Sequence, residues 1–196
     1  MEEPITLSAQ KGVLRTGNTV RRPAKPWSGN IAAFVRHLDG QGLPVERFEG
    51  FCADTGEELW QFGKGELVHP GPWSDDALFE VGALAARLHR GALSFHPETG
   101  QAAPWYLREI GKNPKIWCHG DIAPWNMLTE NGRPTLLVDW EFSGPLDPMV
   151  ELSRICWLFC QLHDDDLMEL HHLPDAAHRA KQVRMVCDGY GLCAPL

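Results

Sequence analysis

The chain has 196 residues, 43% of them hydrophobic, and a formal net charge of −8. That length carries one large domain or two small lobes with a sizeable core. The acidic balance argues against a nucleic-acid phosphate backbone as partner, and no apolar run approaches the roughly 20 residues that span a bilayer.

The opening MEEPITLSAQ has neither the basic nor the apolar region of a secretory signal, so the expectation is a cytoplasmic protein that begins with a loose leader over residues 1–10. Six cysteines, at 52, 118, 156, 160, 187 and 193, show no paired spacing and read as free thiols. Residues 12–23 read as two short strands around a Gly17-Asn18 turn. Neither G-x-G-x-x-G nor G-x4-G-K-[ST] occurs anywhere, which excludes a P-loop. After Pro26, the spacing of Ile31, Phe34, Val35 and Leu38 predicts a helix over 27–38.

Residues 45–68 read as a second hairpin. RFEGFCA and ELWQFG flank the turn Asp54-Thr55-Gly56-Glu57, and Gly63-Lys64-Gly65-Glu66 follows as a hinge. Ser74 opens a strong helix with Asp75 and Asp76 in its first turn and a stripe of Ala77, Leu78, Val81, Leu84, Ala85 and Leu88. It closes with Arg87, His89 and Arg90 before Gly91, and His89 reads as a helix-end residue rather than a ligand. Residues 92–114 are rich in Pro and Gly, with Trp105, Tyr106 and Leu107 as a packing anchor.

The informative stretch is 116–148, IWCHGDIAPWNMLTENGRPTLLVDWEFSGPLDP. The Asn131-Gly132 step between apolar runs predicts a tight hairpin, because both residues tolerate positive φ. Asn126 and Met127 then start one strand and Asp139 ends its partner, with Asp121 on the loop leading in. Two carboxylates and an amide oxygen form a hard-oxygen cluster that suits Mg²⁺. A third group that does not ligate can hold or deprotonate a hydroxyl, and D-x4-N…D is the order in which kinases arrange these roles. Taken singly, each is an ordinary turn residue.

Asp147 and Pro148 cap a further helix with a stripe of Leu152, Ile155, Cys156, Phe159 and Cys160. Cys156, Cys160 and His163 share a face. Without a Cys-x2-Cys partner this reads as a buried apolar face rather than a zinc site. The Asp164-Asp165-Asp166 and His171-His172 runs read as solvated, and 176–187 as a moderate helix.

HGDIAPWN followed by LLVDWEFSGPLDP resembles the signature of the aminoglycoside phosphotransferase and choline kinase-like superfamily, H-G-D-x4-N and then D-W/F-E/D. The resemblance is specific over 117–151 and traceable over 12–105. It implies an α+β, protein-kinase-like two-lobe fold, with a small β-rich nucleotide-binding lobe (1–68) and a mainly helical catalytic lobe (69–196). It also implies ATP and Mg²⁺ as cofactors and a small-molecule hydroxyl as acceptor. By the same resemblance Asp121 is the catalytic base, and Asn126 and Asp139 are metal ligands. His119 is structural, Trp125 walls the acceptor site or packs, and Glu141 is a second acid near the metal or a surface acid.

The family's phosphate-covering hairpin falls on 12–23, and its second strand carries a cation for the nucleotide phosphates. Arg21 is nearest that place, with Arg22 second; alternation turns only one toward the cleft. The family's helix Glu, which pairs with that cation, has no counterpart before Asp39, so the pair is replaced or the clamp is weak. The chain ends early for the family, as a truncated or minimal member would.

The expected function is therefore transfer of the γ-phosphate of ATP to a hydroxyl of an aminoglycoside-, choline- or sugar-like molecule. Asp121, Glu141 and Glu151 would form an acidic acceptor side that fits a cationic substrate. The alternative is a non-catalytic kinase-like nucleotide-binding protein. A metal-dependent phosphohydrolase ranks last, because only His119 lies near the acids.

Overall fold

A computed structural model of the protein describes residues 3–97 and 116–192. Trp105, Tyr106, Leu107 and Cys193 lie outside the described residues. The first half is an antiparallel five-stranded sheet in the order β1-β2-β3-β5-β4: β1 (Ile5–Ser8), β2 (Val13–Thr16), β3 (Thr19–Arg22), β4 (Phe48–Phe51) and β5 (Glu58–Gln61). The expected leader is thus in part a strand. ITLS gives no alternation that would betray it, since all of β1 is exposed or half-buried, and its pairing with β2 is what makes it a strand. The two strands read over 12–23 are β2 and β3, paired around the Gly17-Asn18 turn, and β1 adds a further hairpin before them.

Helix α1 (Ser28–Asp39) lies between β3 and β4 and buries Ile31, Phe34, Val35 and Leu38, the stripe the sequence predicts. Phe34 is the keystone of its buried face. Its ring lies 5.0 Å from Phe95, 5.5 Å from Trp117 and 5.9 Å from Trp140 by centroids, so one side chain joins α1 to the second half of the chain. Tilted and edge-on arrangements of this kind suit the ring quadrupoles.

The second half is helical around two small antiparallel ribbons. Helix α2 (Asp75–Ala92) is capped by the Ser74 hydroxyl, which accepts from the Ala77 amide. The strand β6 (Ile116–Cys118) pairs with β9 (Gly144–Leu146), and β7 (Met127–Glu130) pairs with β8 (Arg133–Leu137). Asn131 and Gly132 have φ of 53° and 74°, as the Asn-Gly turn requires. Helices α3 (Pro148–Phe159), α4 (Asp165–Leu170) and α5 (Ala176–Tyr190) follow. Asp147 caps α3 by accepting from the Met149 amide. The buried Arg179 of α5 ties the end of α3 down by donating from Nη1 to the carbonyls of Gln161 (2.7 Å) and His163 (2.9 Å).

One continuous core runs from Val20 and Trp60 of the sheet through Phe34 and Leu38 to Trp140, Ile155 and Phe159. Helices α2 and α5 meet most intimately, through two glycines. A Cβ on Gly82 would collide with the Val186 carbonyl, and one on Gly189 with the Phe79 carbonyl. These neighbours are backbone and cannot swing away. Gly82→Ala and Gly189→Ala are each expected to destabilise the protein by about 1–3 kcal/mol through overpacking. A urea unfolding series would register this as a lowered midpoint at unchanged slope.

Candidate active site

The β7–β8 hairpin brings Asn126 and Asp139 to one end, as its register demands. Met127 pairs with Leu137, and the Val138 amide donates to the Asn126 carbonyl at 2.9 Å. Asn126 ends a short 3-10 turn over Pro124–Asn126. Asp139 follows β8 with φ 62° and ψ 68°, a left-handed conformation uncommon for a residue other than glycine. Asp121 arrives on the loop after β6, where its Oδ2 accepts from Asn126 Nδ2 at 3.0 Å. The three residues read from the signature are therefore assembled by two turns and one ribbon.

The loop carrying Asp121 is held from below. Glu151 of α3, 2% exposed, accepts the Gly120 amide on Oε1 at 2.5 Å. Its Oε2 takes His89 Nε2 at 2.7 Å, and His89 Nδ1 meets the Tyr190 hydroxyl at 2.8 Å. Burial pushes the Glu151 pKa up, but the hydrogen bond and charge of His89 outweigh it and hold the carboxyl below its ordinary value. His89 lies in the last turn of α2, as the sequence predicts, and is also a buried node linking α2, α3 and α5. Cys118 lies with His89 and Glu151 close enough for a metal. The hydrogen bonds just described occupy both nitrogens of His89 and both oxygens of Glu151, and burial pushes the Cys118 thiol far up from the thiolate form that would ligate. The trio is a structural node.

His119 has the structural role expected of it. Its Nδ1 accepts the Asp121 amide at 3.1 Å while Nε2 donates to the Val138 carbonyl at 3.1 Å, contacts that assign the neutral Nε2–H form. Burial lowers its pKa, opposed in part by the Glu151 charge.

A cavity of about 720 Å³ opens between the sheet and the β7–β8 ribbon. Val13, Val20, Leu128 and Val138 give it apolar walls. Gly63 and Gly65 form one edge, and Arg22, Glu46, Asn126, Asp139 and Glu141 line its polar end. Gly63 and Gly65 are needed there because a Cβ on either would strike Leu128.

The cation of β3 that faces this cavity is Arg22. Arg21, the residue favoured from sequence, points to the other face of the strand and pairs with Glu57. Strand alternation allowed only one of the two, and the register of β3 against β5 decided which. Arg22 Nη2 reaches Glu46 Oε1 at 2.8 Å, and its Nη1 lies 3.8 Å from Asp139 Oδ1. Glu46, 2% exposed, also accepts the Asp139 amide at 3.1 Å. Burial raises its pKa against the pull of the Arg22 charge. The acid missing from α1 is therefore supplied from the segment after the helix, which runs beside β8 through the Val45–Leu137 bridge. No pattern in the sequence marks Glu46, because its neighbour belongs to a strand ninety residues away.

Two further residues were not legible. Arg154 of α3 donates from Nη2 to Asp121 Oδ1 at 2.9 Å and from Nη1 to the Gly120 carbonyl at 3.0 Å. Lys11, at the β1–β2 turn, reaches Glu141 Oε2 at 2.9 Å and Asp139 Oδ2 at 3.5 Å. The three acids expected on one acceptor side have different surroundings. Glu151 is buried beneath the loop, Glu141 lies with Lys11 in the cavity, and Asp121 is matched by Arg154. Trp125, 42% exposed, stands beside Asp121 with Nε1 3.4 Å from Oδ2. The face expected to be buried and apolar is so at Cys156 and Cys160, while His163 lies beyond the end of α3 and is half-buried. Cys156 lies 4.0 Å from Cys187, and burial raises both the Cys156 and the Cys160 thiols to about 12.

A divalent cation fits the polar end of the cavity. Asn126 offers an amide oxygen and Asp139 and Glu141 offer carboxylates, all hard donors. That the Lys11 ammonium lodges between the two carboxylates shows that this corner favours positive charge.

Comparisons with known proteins bear on the family and the fold. Residues 97–180 match the model of the phosphotransferase enzyme family (APH). The chain is 39% identical over 192 residues to the trifolitoxin immunity protein of Rhizobium leguminosarum bv. trifolii, covering 96% of this chain and 73% of that protein. Among solved structures, the amicoumacin kinase hAmiN in complex with AMP-PNP, Ca²⁺ and Ami superposes with a TM-score of 0.69 at 12% identity, over 98% of this chain and 73% of the other. A spectinomycin phosphotransferase in complex with ADP and spectinomycin gives 0.63 at 10% identity, over 99% and 75%. The chain belongs to the phosphotransferase enzyme family and has the protein-kinase-like α+β fold of its small-molecule kinases.

Proposed function

We propose that the protein transfers the γ-phosphate of ATP to a hydroxyl of a small molecule, with residues 1–68 as the nucleotide-binding lobe and 69–196 as the catalytic lobe. The observation that carries this reading is a cavity whose polar end gathers Asn126, Asp139 and Arg22 on its buried Glu46, with Asp121 hydrogen-bonded to Asn126 beside it. Adenine would lie between Val13 and Val20 on one side and Leu128 and Val138 on the other, beside the 63–65 edge. Arg22 would meet the phosphates. Asn126 and Asp139 would hold Mg²⁺, which when bound neutralises charge on the transferring phosphoryl group.

Asp121 would accept the proton of the attacking hydroxyl as the new O–P bond forms and the bond to the ADP oxygen breaks. Arg154 and Asn126 fix the rotamer of Asp121 in advance, so that little reorganisation accompanies the reaction. With Asp121 already matched by one cation and flanked by an indole, the acceptor side favours a molecule with an apolar or planar face over a polycation. The likeness to an immunity protein favours a protective role in which the phosphorylated molecule is a toxic one. A purely non-catalytic reading is weakened because Glu46 restores the ion pair whose absence from α1 had suggested it.

Three outcomes follow from these roles. Asp121→Asn is expected to lower turnover by about 10²- to 10⁴-fold, the range of a general base, while leaving the ATP dissociation constant within about twofold. Wild-type turnover in this variant would refute the assignment. Arg22→Met, paired with Glu46→Gln so that no buried carboxylate is stranded, should weaken ATP binding at least about tenfold, or ~1.4 kcal/mol; Arg21→Met should not. Titration calorimetry reads both.

The third concerns pH. The folded pKa of His119 lies below its unfolded value of about 6.5, so its contribution to stability is complete above that value and erodes as pH falls below it. The gap in melting temperature between wild type and His119→Gln should narrow between about pH 7.5 and 5.5, because protonating Nδ1 removes the acceptor for the Asp121 amide. A gap constant across that range would contradict the neutral form.

A further inference from the structure

Two cations lie within 4 Å of Asp139 among the described residues, and they differ in how they are held. Arg22 is 18% exposed at the side chain, and its guanidinium is committed to the buried Glu46. Lys11 is half exposed and sits at the tip of the β1–β2 turn, where Gly12 takes a φ of 66°. Its ammonium reaches across the cavity mouth to Glu141 Oε2 at 2.9 Å and Asp139 Oδ2 at 3.5 Å, with the Phe142 ring centroid 6.0 Å away.

A lysine on a four-carbon stem at a turn tip is a movable point charge, unlike an arginine fixed in a bidentate fork. The two carboxylates it neutralises are the ones a divalent cation would use. An ammonium and a metal ion cannot share them, because like charges at that separation repel.

We propose that Lys11 is a positioning residue that exchanges partners. Without nucleotide it serves as the resident counter-ion of Asp139 and Glu141. When metal and nucleotide arrive, it leaves the carboxylates for the phosphate oxygens beneath the β1–β2 turn. The inference rests on the metal and nucleotide roles proposed above. It adds to them that metal binding and nucleotide binding are coupled through this one side chain. A metal ion alone must compete with a tethered ammonium, whereas metal with nucleotide gives that ammonium a new partner. Coupling of this kind is reciprocal.

The test is a pair of binding measurements on Lys11→Met, which keeps the stem and loses the charge, and on Lys11→Arg, which keeps the charge. Mn²⁺ binding to nucleotide-free protein is followed by electron paramagnetic resonance, and ATP binding at saturating Mg²⁺ by calorimetry. In Lys11→Met, Mn²⁺ should bind about two- to fivefold more tightly and ATP about two- to fivefold more weakly, the range an exposed ion pair commands. Lys11→Arg should restore both toward wild type. Opposite signs are the mark of partner exchange. A surface lysine of no consequence would move neither value, and a lysine needed only for structure would weaken both; either result overturns the proposal. If the wild type binds no Mn²⁺ even with ATP, and Asp139→Ala behaves identically, the metal assignment itself fails.

Discussion

Glu151 is the constraint on which the site depends. It is a fully buried carboxylate with two fixed partners, the Gly120 amide and the His89 ring. Taking a carboxylate out of water is costly unless its oxygens are satisfied, and removing one partner of such a pair costs about 3–5 kcal/mol. The geometry that satisfies Glu151 is also the geometry that aims Asp121. Gly120 precedes Asp121, so an amide fixed on Glu151 of α3 also fixes where the next side chain meets Asn126 and Arg154. Tyr190, on His89, extends the same tie to α5. The close backbone approach of α2 and α5 at Gly82 and Gly189 keeps that tie short.

The cavity side is organised by a second buried acid. Glu46 accepts from Arg22 on one side and from the Asp139 amide on the other. It thereby connects the sheet to the ribbon that carries the metal-ligand candidates. The Asp139 backbone sits in the left-handed region, a conformation that costs of order 1–3 kcal/mol and persists only where surroundings over-determine it. Glu46 on its amide, with Trp140 packed immediately after it in the core, supplies that determination. The two acids thus divide the work: Glu151 places Asp121 and Glu46 places the corner of the cavity where cations gather.

The family's relatives in hand include kinases of antibiotics and a toxin immunity protein, and the fold is common to all of them. Near Asp121 the structure departs from the sequence reading. Arg154 and Trp125 occupy the ground where the sequence had suggested a patch of acids. One matched ion pair and an exposed indole present a less negative surface than three carboxylates would.

By itself the sequence determined the signature residues and the local elements around them. The Asn131-Gly132 turn forced the hairpin that sets Asn126 beside Asp139. The periodic stripes fixed α1, α2 and α3, and Ser74 and Asp147 fixed where two of those helices begin. These features are short-range, and their physics is written in neighbouring residues. The tertiary structure decided everything that required a partner far along the chain. The register of β3 against β5 sent Arg21 outward and Arg22 inward, and the bridge of the 45–46 segment to β8 delivered Glu46. Pairing with β2 turned an unpatterned leader into β1 and put Lys11 over the cavity. Burial against α2 converted Glu151 from an apparent acceptor-side acid into the anchor of the catalytic loop. None of these leaves a local trace, because in each the deciding energy lies in a contact between segments rather than in a residue's own preference.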